Sequence, residues 1–117
     1  MNFAMLREYL LSFPSAVEER PFGPTALVYK VGGKMFALTP VEAPRPSVTL
    51  KCDPALAEHL RAAYLEIRPA YHMNKRHWNT VALDGVVSEE LLREMIDDSY
   101  ALVMKTLPKA AREKLKK

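Results

Sequence analysis

The chain predicts an α+β fold: an antiparallel sheet flanked by helices on one face, in the order α-β-β-β-α-β-α. Three observations predict it. Two β-rich runs are joined by Gly32-Gly33, a pair that supplies the positive φ angles of a tight hairpin. Three segments open on helix-capping residues and continue with apolar positions at helical spacing. The connections are short, which favours antiparallel neighbours over parallel crossovers.

The elements follow in order. Asn2 caps a first helix whose apolar stripe is Phe3, Leu6, Leu10 and Phe13, and Pro14 stops it. "SAVEERPFGPT" reads as an irregular loop, because Pro21, Gly23 and Pro24 interrupt any regular pattern. "TALVYKV" and "KMFALT" are the hairpin strands. With strict alternation, Tyr29, Phe36 and Leu38 are expected on one face and Ala26, Val28 and Ala37 on the other. "APRPS" cannot donate regularly to a ladder, so it is a connection or an edge, and it argues against open-ended strand pairing. "SVTLKC" alternates and reads as a third strand. Asp53-Pro54 is an N-cap followed by proline at the first helical position, and Leu56, Leu60 and Ala63 mark the buried stripe of a short helix. "IRPAYHMNK" is a connection, and "HWNTVAL" a fourth strand ended by the turn signal Asp84-Gly85. Ser88 caps the last long helix, with Glu89 and Glu90 well placed against its dipole. Its stripe is Leu92, Met95, Ile96, Ser99, Val103 and Leu107. Pro108 breaks it, leaving a basic terminal turn or tail over about residues 108–117.

At 117 residues the chain is expected to form a single domain, residues 1–117, and a monomer. A chain of this size buries roughly two thirds of its unfolded surface and needs no disulfide or metal staple. Its 49% hydrophobic and 26% charged residues are ordinary globular composition, which excludes disorder as the main class. Arg7 and Glu8 interrupt the apolar N-terminal stretch, so it does not read as a signal peptide. No stretch approaches the ~18 apolar residues of a membrane span, and the expected compartment is the cytoplasm. The net charge of +3 is segregated: residues 1–19 carry −2, residues 20–76 carry +5, residues 77–104 carry −5 and residues 105–117 carry +5. Two basic areas and one acidic face are therefore expected.

"YHMNKRHWNT", residues 71–80, concentrates two cations, two histidines, the sole tryptophan and two asparagines. On a strand, Lys75, His77, Asn79 and Val81 point one way and Arg76, Trp78, Thr80 and Ala82 the other. Trp78 is read as the structural anchor that ties the strand to the body of the fold. Lys75 and Arg76, at the strand entry, are candidates for phosphate contact, with His77 and Asn79 as hydrogen-bonding neighbours. Arg45 and Lys51 complete the candidate nucleic-acid-binding set.

Enzyme chemistry is not expected. His72 and His77 are five apart and face opposite sides of an extended chain, and no Cys or acidic pair falls at ligand spacing, so no metal site is predicted. Asp97 and Asp98 are neighbours on an exposed helical turn rather than a paired acid and base. Gly32-Gly33 serves the hairpin, not a phosphate cradle. Cys52 alternates with Val48 and Leu50 and reads as a small buried hydrophobe. No cofactor is expected.

"KMFAL", "YHMNKRHWNTVALDG" and "IDDSYALVMKTLPK" together resemble the MmcQ/YjbR-like family of small bacterial proteins. The resemblance runs from the first helix to about Lys109, and the run Trp78 to Gly85 with Ser99-Tyr100 downstream is its most specific part. It implies a fold similar to the bacterial frataxin CyaY, and a proposed "double-wing" DNA-binding role. Lys75, Arg76, His77, Trp78 and Asn79 lie within the motif. Iron binding is not expected from the frataxin-like fold, because the first helix offers only Glu8, with Glu18 and Glu19 following in the loop. The primary expectation is thus a DNA-binding protein without catalysis. The alternative is a protein- or small-ligand-binding adaptor using the open sheet face, which an exposed aromatic face would favour.

Overall fold

The computed structural model describes residues 1–41, 45–70, 73–85 and 87–115. Ala43 and Pro44 of the proline-rich connection, and the final two lysines of the tail, lie outside the described residues. The elements are α1 (Phe3–Leu11), β1 (Val17–Glu19), β2 (Ala26–Val31), β3 (Lys34–Pro40), β4 (Ser47–Lys51), α2 (Pro54–Ala63), β5 (Ile67–Pro69), β6 (Trp78–Ala82), α3 (Glu89–Lys105) and α4 (Lys109–Leu115). The strands form an open antiparallel sheet of order β1-β2-β3-β4-β6-β5. The fold is α+β, as expected.

The local signals that build it are the ones the residues announce. Asn2, Asp53 and Ser88 each accept a backbone N–H three positions on and so cap α1, α2 and α3. Gly32 and Gly33 adopt φ of +58° and +79° between β2 and β3, a region open to glycine at no steric cost. Three elements exceed the expected order. β1 and β5 are three residues each: the first is "VEE", with no apolar alternation, and the second ends in Pro69, so neither carries a strand's usual signature. The basic tail after Pro108 winds into α4, with proline at its start where a missing N–H costs nothing.

One face of the sheet is covered. Leu27, Tyr29, Val31, Phe36, Ala37, Val48, Leu50, Ile67 and Val81 pack against Leu6 and Leu10 of α1, Ala57 and Leu60 of α2, and Leu92, Met95, Ile96 and Val103 of α3. The alternation expected for β3 fails here. Tyr29 is opposite Ala37 while Lys30 is opposite Met35, so Phe36 is an extra residue on β3. This bulge turns both Phe36 and Ala37 to the helix side with Tyr29, and leaves Met35 and Leu38 on the other face with Ala26 and Val28. The expected grouping of Tyr29 with Leu38, and of Ala37 with Val28, is therefore incorrect.

Phe36 then seats an aromatic cluster. Its ring meets Phe13 at 5.8 Å and Tyr100 at 5.3 Å, both edge-on, and Phe13 stacks on Tyr100 at 4.6 Å. The Tyr100 hydroxyl donates to the Pro14 carbonyl at 2.7 Å, which ties α3 to the end of the first helical segment. Deeper in the core, Ser99 is fully buried on α3. Its Oγ donates to the Phe36 carbonyl at 2.6 Å and accepts the Lys51 amide at 2.9 Å. Phe36 and Lys51 are the next pair beyond Ala37–Leu50 in the β3–β4 register, so the hydroxyl completes a rung that the bulge opens.

At the outer end of the sheet, the Tyr29 hydroxyl donates to Glu18, which also pairs with Arg7 at 2.7 Å. The Arg7 guanidinium holds the Glu18 carboxyl below its usual range.

Removing the Ser99 hydroxyl orphans a carbonyl and an amide at once. Ser99→Ala is expected to cost about 1–3 kcal/mol, the desolvation penalty of buried unsatisfied groups. Urea denaturation reads it as a lower midpoint with unchanged slope. A loss within about 0.5 kcal/mol, as for an ordinary surface change, would contradict the bridging role.

Candidate functional site

The uncovered face of the sheet is not flush. Its floor is Ala26, Leu38, Thr49 and Thr80, its walls are Phe22, Met35, Met73 and Trp78, and together they enclose a groove of about 690 Å³. The strand register puts these residues there: Leu38 is opposite Thr49, and Thr49 opposite Thr80. The two threonine hydroxyls bond to one another at 2.8 Å, so the polar atoms of the floor are mutually satisfied and the surface they offer is largely methyl. Phe22, from the loop before β2, is 69% exposed, an unusual position for an aromatic ring.

A second hollow, of about 490 Å³, adjoins the groove where β4 and β6 meet the end of α3. Lys51, His77 and Lys105 line it together with Asp53. Trp78 and Asn74 belong to both hollows and form the ridge between them. Cys52 also borders the second hollow, but burial, with Asp53 and Asp98 nearby, pushes its thiol up from its ordinary value, the reverse of an activated nucleophile.

The expected site residues separate on this frame. Alternation along β6 is kept, but the sides are reversed in importance. Asn79 is completely buried on the helix side, where its Oδ1 accepts from the Arg61 guanidinium at 2.9 Å. It cannot reach a bound phosphate or base, and its place in the candidate set is corrected accordingly. Trp78, on the opposite side, is half-buried at the ridge and stands outside the helix-side core. The reason is that Val81 and Leu83, the apolar residues that enter the core, share the parity of Asn79.

Lys75 and Arg76 are exposed on the turn before β6, and His77 is half-buried behind them. That turn is held by Arg61 of α2, which donates to the Lys75 carbonyl at 2.9 Å, and by Asn74, whose side chain accepts the Arg76 amide at 3.0 Å. Lys51 is the cross-strand partner of Trp78 at the same end of the sheet. Arg45 precedes the other end of β4. It bonds Asp84 at 3.1 Å and Glu66 at 2.9 Å, and holds the Asp84 carboxyl below its usual range. The candidate cations therefore do not form one patch: Lys51, Lys75 and Arg76 gather at one end, and Arg45 is occupied by two acids at the other. His72, and Tyr71 beside it, lie outside the described residues. Among the described residues no group of three or more His, Cys, Asp or Glu side chains is placed to hold a metal, and no helix is long and apolar enough to cross a membrane.

Phe22, Met35, Met73 and Arg61 are the residues that sequence reasoning missed, while Leu38 is named there but grouped with Tyr29 and Phe36. An exposed Phe in a Pro/Gly loop was the one signal available. The outward turn of Leu38, onto the face of Met35, depends on the bulge and leaves no trace in the alternation.

A family model described as YjbR matches residues 11–102. The chain is similar to the uncharacterised protein YbdF of Escherichia coli O157:H7, with 41% identity over 96 residues covering 82% of this chain and 79% of that one. It is similar to the uncharacterised protein YjbR of Escherichia coli strain K12, with 35% identity over 115 residues covering 98% of each. Among solved structures, Deinococcus radiodurans protein DR2400, with domain DUF419, superposes with a TM-score of 0.89 at 43% identity, covering 95% of this chain and 85% of that one. A Pseudomonas syringae protein solved by crystallography gives 0.78 at 28% identity, covering 88% of this chain and 99% of that one.

The placement of Trp78 has a direct readout, because it is the sole tryptophan. Its fluorescence is expected to be partly quenched by acrylamide in the folded protein. Trp78→Ala is expected to cost about 1–3 kcal/mol in urea denaturation, less than the ~3–5 kcal/mol of a core tryptophan. Complete protection from quencher, with a loss at the top of the core range, would place the indole in the core instead.

Proposed function

The chain belongs to the YjbR family, and for this member we propose a binding rather than a catalytic role, with the open sheet face as the site. The ligand is a small molecule with an apolar body. The carrying observation is the groove of about 690 Å³, walled by an exposed Phe22, Met35, Met73 and Trp78 above a methyl-rich floor. Its size falls in the range of small-molecule sites, and its composition, mostly apolar with few polar groups, is theirs also. A groove this concave suits a compact ligand better than the backbone of a duplex, which calls for a broad basic surface.

Nucleic-acid binding is the second reading, and one observation favours it. Lys51 is the cross-strand partner of the half-buried Trp78, and Lys75 and Arg76 are exposed on the turn that leads into it. A cationic margin next to an aromatic side chain suits a single strand, with phosphates on the cations and a base against the ring. The buried Asn79 and the ion-paired Arg45 have no part in it.

The two readings separate experimentally. A neutral apolar fluorophore, N-phenyl-1-naphthylamine, is expected to bind at micromolar concentration with enhanced emission. Phe22→Ser, a change at an exposed position, is expected to leave the melting temperature unchanged and weaken binding about tenfold, since burying an aromatic side chain contributes about 1.5–3 kcal/mol. Absence of binding by the unaltered protein would overturn the groove reading.

For the second reading, anisotropy of a labelled single strand is compared at ~50 and ~200 mM salt. Binding at the lower salt, with a salt slope reduced by about 2 in the Lys51→Ala/Arg76→Ala double variant, is the expected signature of two phosphate contacts. No binding at micromolar protein in the lower salt would exclude it.

A further inference from the structure

We propose that the ligand of the open face is an amphipathic anion, its apolar body in the groove and its anionic group lodged across Trp78 in the neighbouring cationic hollow. The inference rests on reading the groove as a ligand site and adds the chemistry of the ligand's other end.

The argument is the adjacency of two unlike hollows. The groove is almost without charge along its lining, whereas the hollow of about 490 Å³ beside it is lined by Lys51, Lys105 and His77. Trp78 and Asn74 line both, so the two hollows share one wall and a molecule that crosses the Trp78 ridge can occupy both. Lys51 is the cross-strand neighbour of Trp78, which brings its aliphatic stem beside the indole and its ammonium to the hollow. Lys34 adds a further cation at the rim: its Nζ donates to the Thr106 hydroxyl at 3.2 Å and to the Thr106 carbonyl at 3.4 Å. There it offsets the negative end of α3, which would otherwise repel an anion.

The opposing charges are also identifiable. Asp53 lines the hollow, but its carboxylate is engaged in capping α2 through the Leu56 amide. Asp98 borders the adjoining hollow beneath it, together with Lys105. Lys51, Lys105 and Lys34 at the rim against Asp53 and the adjoining Asp98 leave the hollow positive. A neutral apolar ligand would fill the groove and leave these ammonium groups without use. A simple anion would meet the lysines but gain nothing from the ring and methyl groups. A molecule with both parts meets both surfaces, and an aromatic or alkyl sulfonate, carboxylate or phosphate has that form.

The test uses a matched pair of probes on the intact chain. 8-Anilinonaphthalene-1-sulfonate and N-phenyl-1-naphthylamine share one ring system and differ by the sulfonate. The anion is expected to bind about tenfold more tightly, the size of one charge-assisted contact. Lys51→Met/Lys105→Met keeps the aliphatic stems, and it is expected to remove that advantage while leaving the neutral probe unchanged. Lys109→Met/Lys114→Met, on the exposed surface of α4, serves as a control for overall charge and is expected to change neither probe. Equal binding of the two probes, or an equal loss in the control variant, overturns the anionic half and leaves the groove in place. Failure of both probes to bind overturns the groove reading with it.

Discussion

A single hydroxyl stands between the two layers of this fold. Ser99 reaches from α3 to the backbone of two strands, donating to Phe36 and accepting from Lys51, and it is fully buried where it does so. A bulge in an interior strand normally leaves peptide groups open, and open peptide groups in a dry interior are costly. Here the helix supplies the missing partner. The consequence reaches both faces. With the extra residue accommodated, Phe36 and Ala37 both turn inward, and Phe36 becomes the ring on which Phe13 and Tyr100 assemble. Leu38 is displaced outward by the same event to join Met35, and the groove acquires part of its floor. Core and candidate site thus have a common origin.

That origin also sets what could be read in the chain before folding. Caps, the glycine hairpin and the long helix are local, and each is carried by side-chain chemistry within a few residues: Asn2, Asp53, Ser88, Gly32 and Gly33 all act as expected. The bulge is different in kind. "KMFALTP" alternates no differently from a regular strand, and the residue that permits its irregularity is 63 positions away in sequence. A period-2 reading of β3 therefore assigns Leu38 to the wrong side. β1 and β5 escaped for a related reason: three-residue strands are held by their neighbours' ladders rather than by their own pattern.

The opening stretch of β6 shows how composition and orientation diverge. Alternation separates Asn79 from Trp78, but nothing local says which row faces the helices. Intuition buries the tryptophan and exposes the asparagine. The fold buries the asparagine and leaves the tryptophan half-buried, because Val81 fixes the parity of the buried row and Arg61 from α2 meets the amide there. The guanidinium satisfies the Oδ1 of this buried asparagine, while its Nδ2 has no partner among the described residues. Arg61 also holds the Lys75 carbonyl, so the same cation that compensates the burial positions the exposed turn. The cations of the sequence motif are presented by a side chain outside it.

Net charge was equally uninformative about location. The basic balance of residues 20–76 suggested a surface, but Arg45 faces Asp84 and Glu66, while Lys51 sits at the far end of its strand beside Trp78. What remains is a face with an apolar groove along it and Lys51 beside Trp78 at one end. Exposing Phe22 and half-exposing Trp78, Met35 and Leu38 forgoes burial that would stabilise the fold by about 25 cal/mol for each Å² of apolar surface. Helices already cover the other face of the sheet. A fold can leave an apolar face uncovered when a ligand covers it, and the charged edge beside Trp78 then distinguishes one apolar ligand from another. In the proposed reading, apolar contact supplies the attraction and the position of Lys51 supplies the selection.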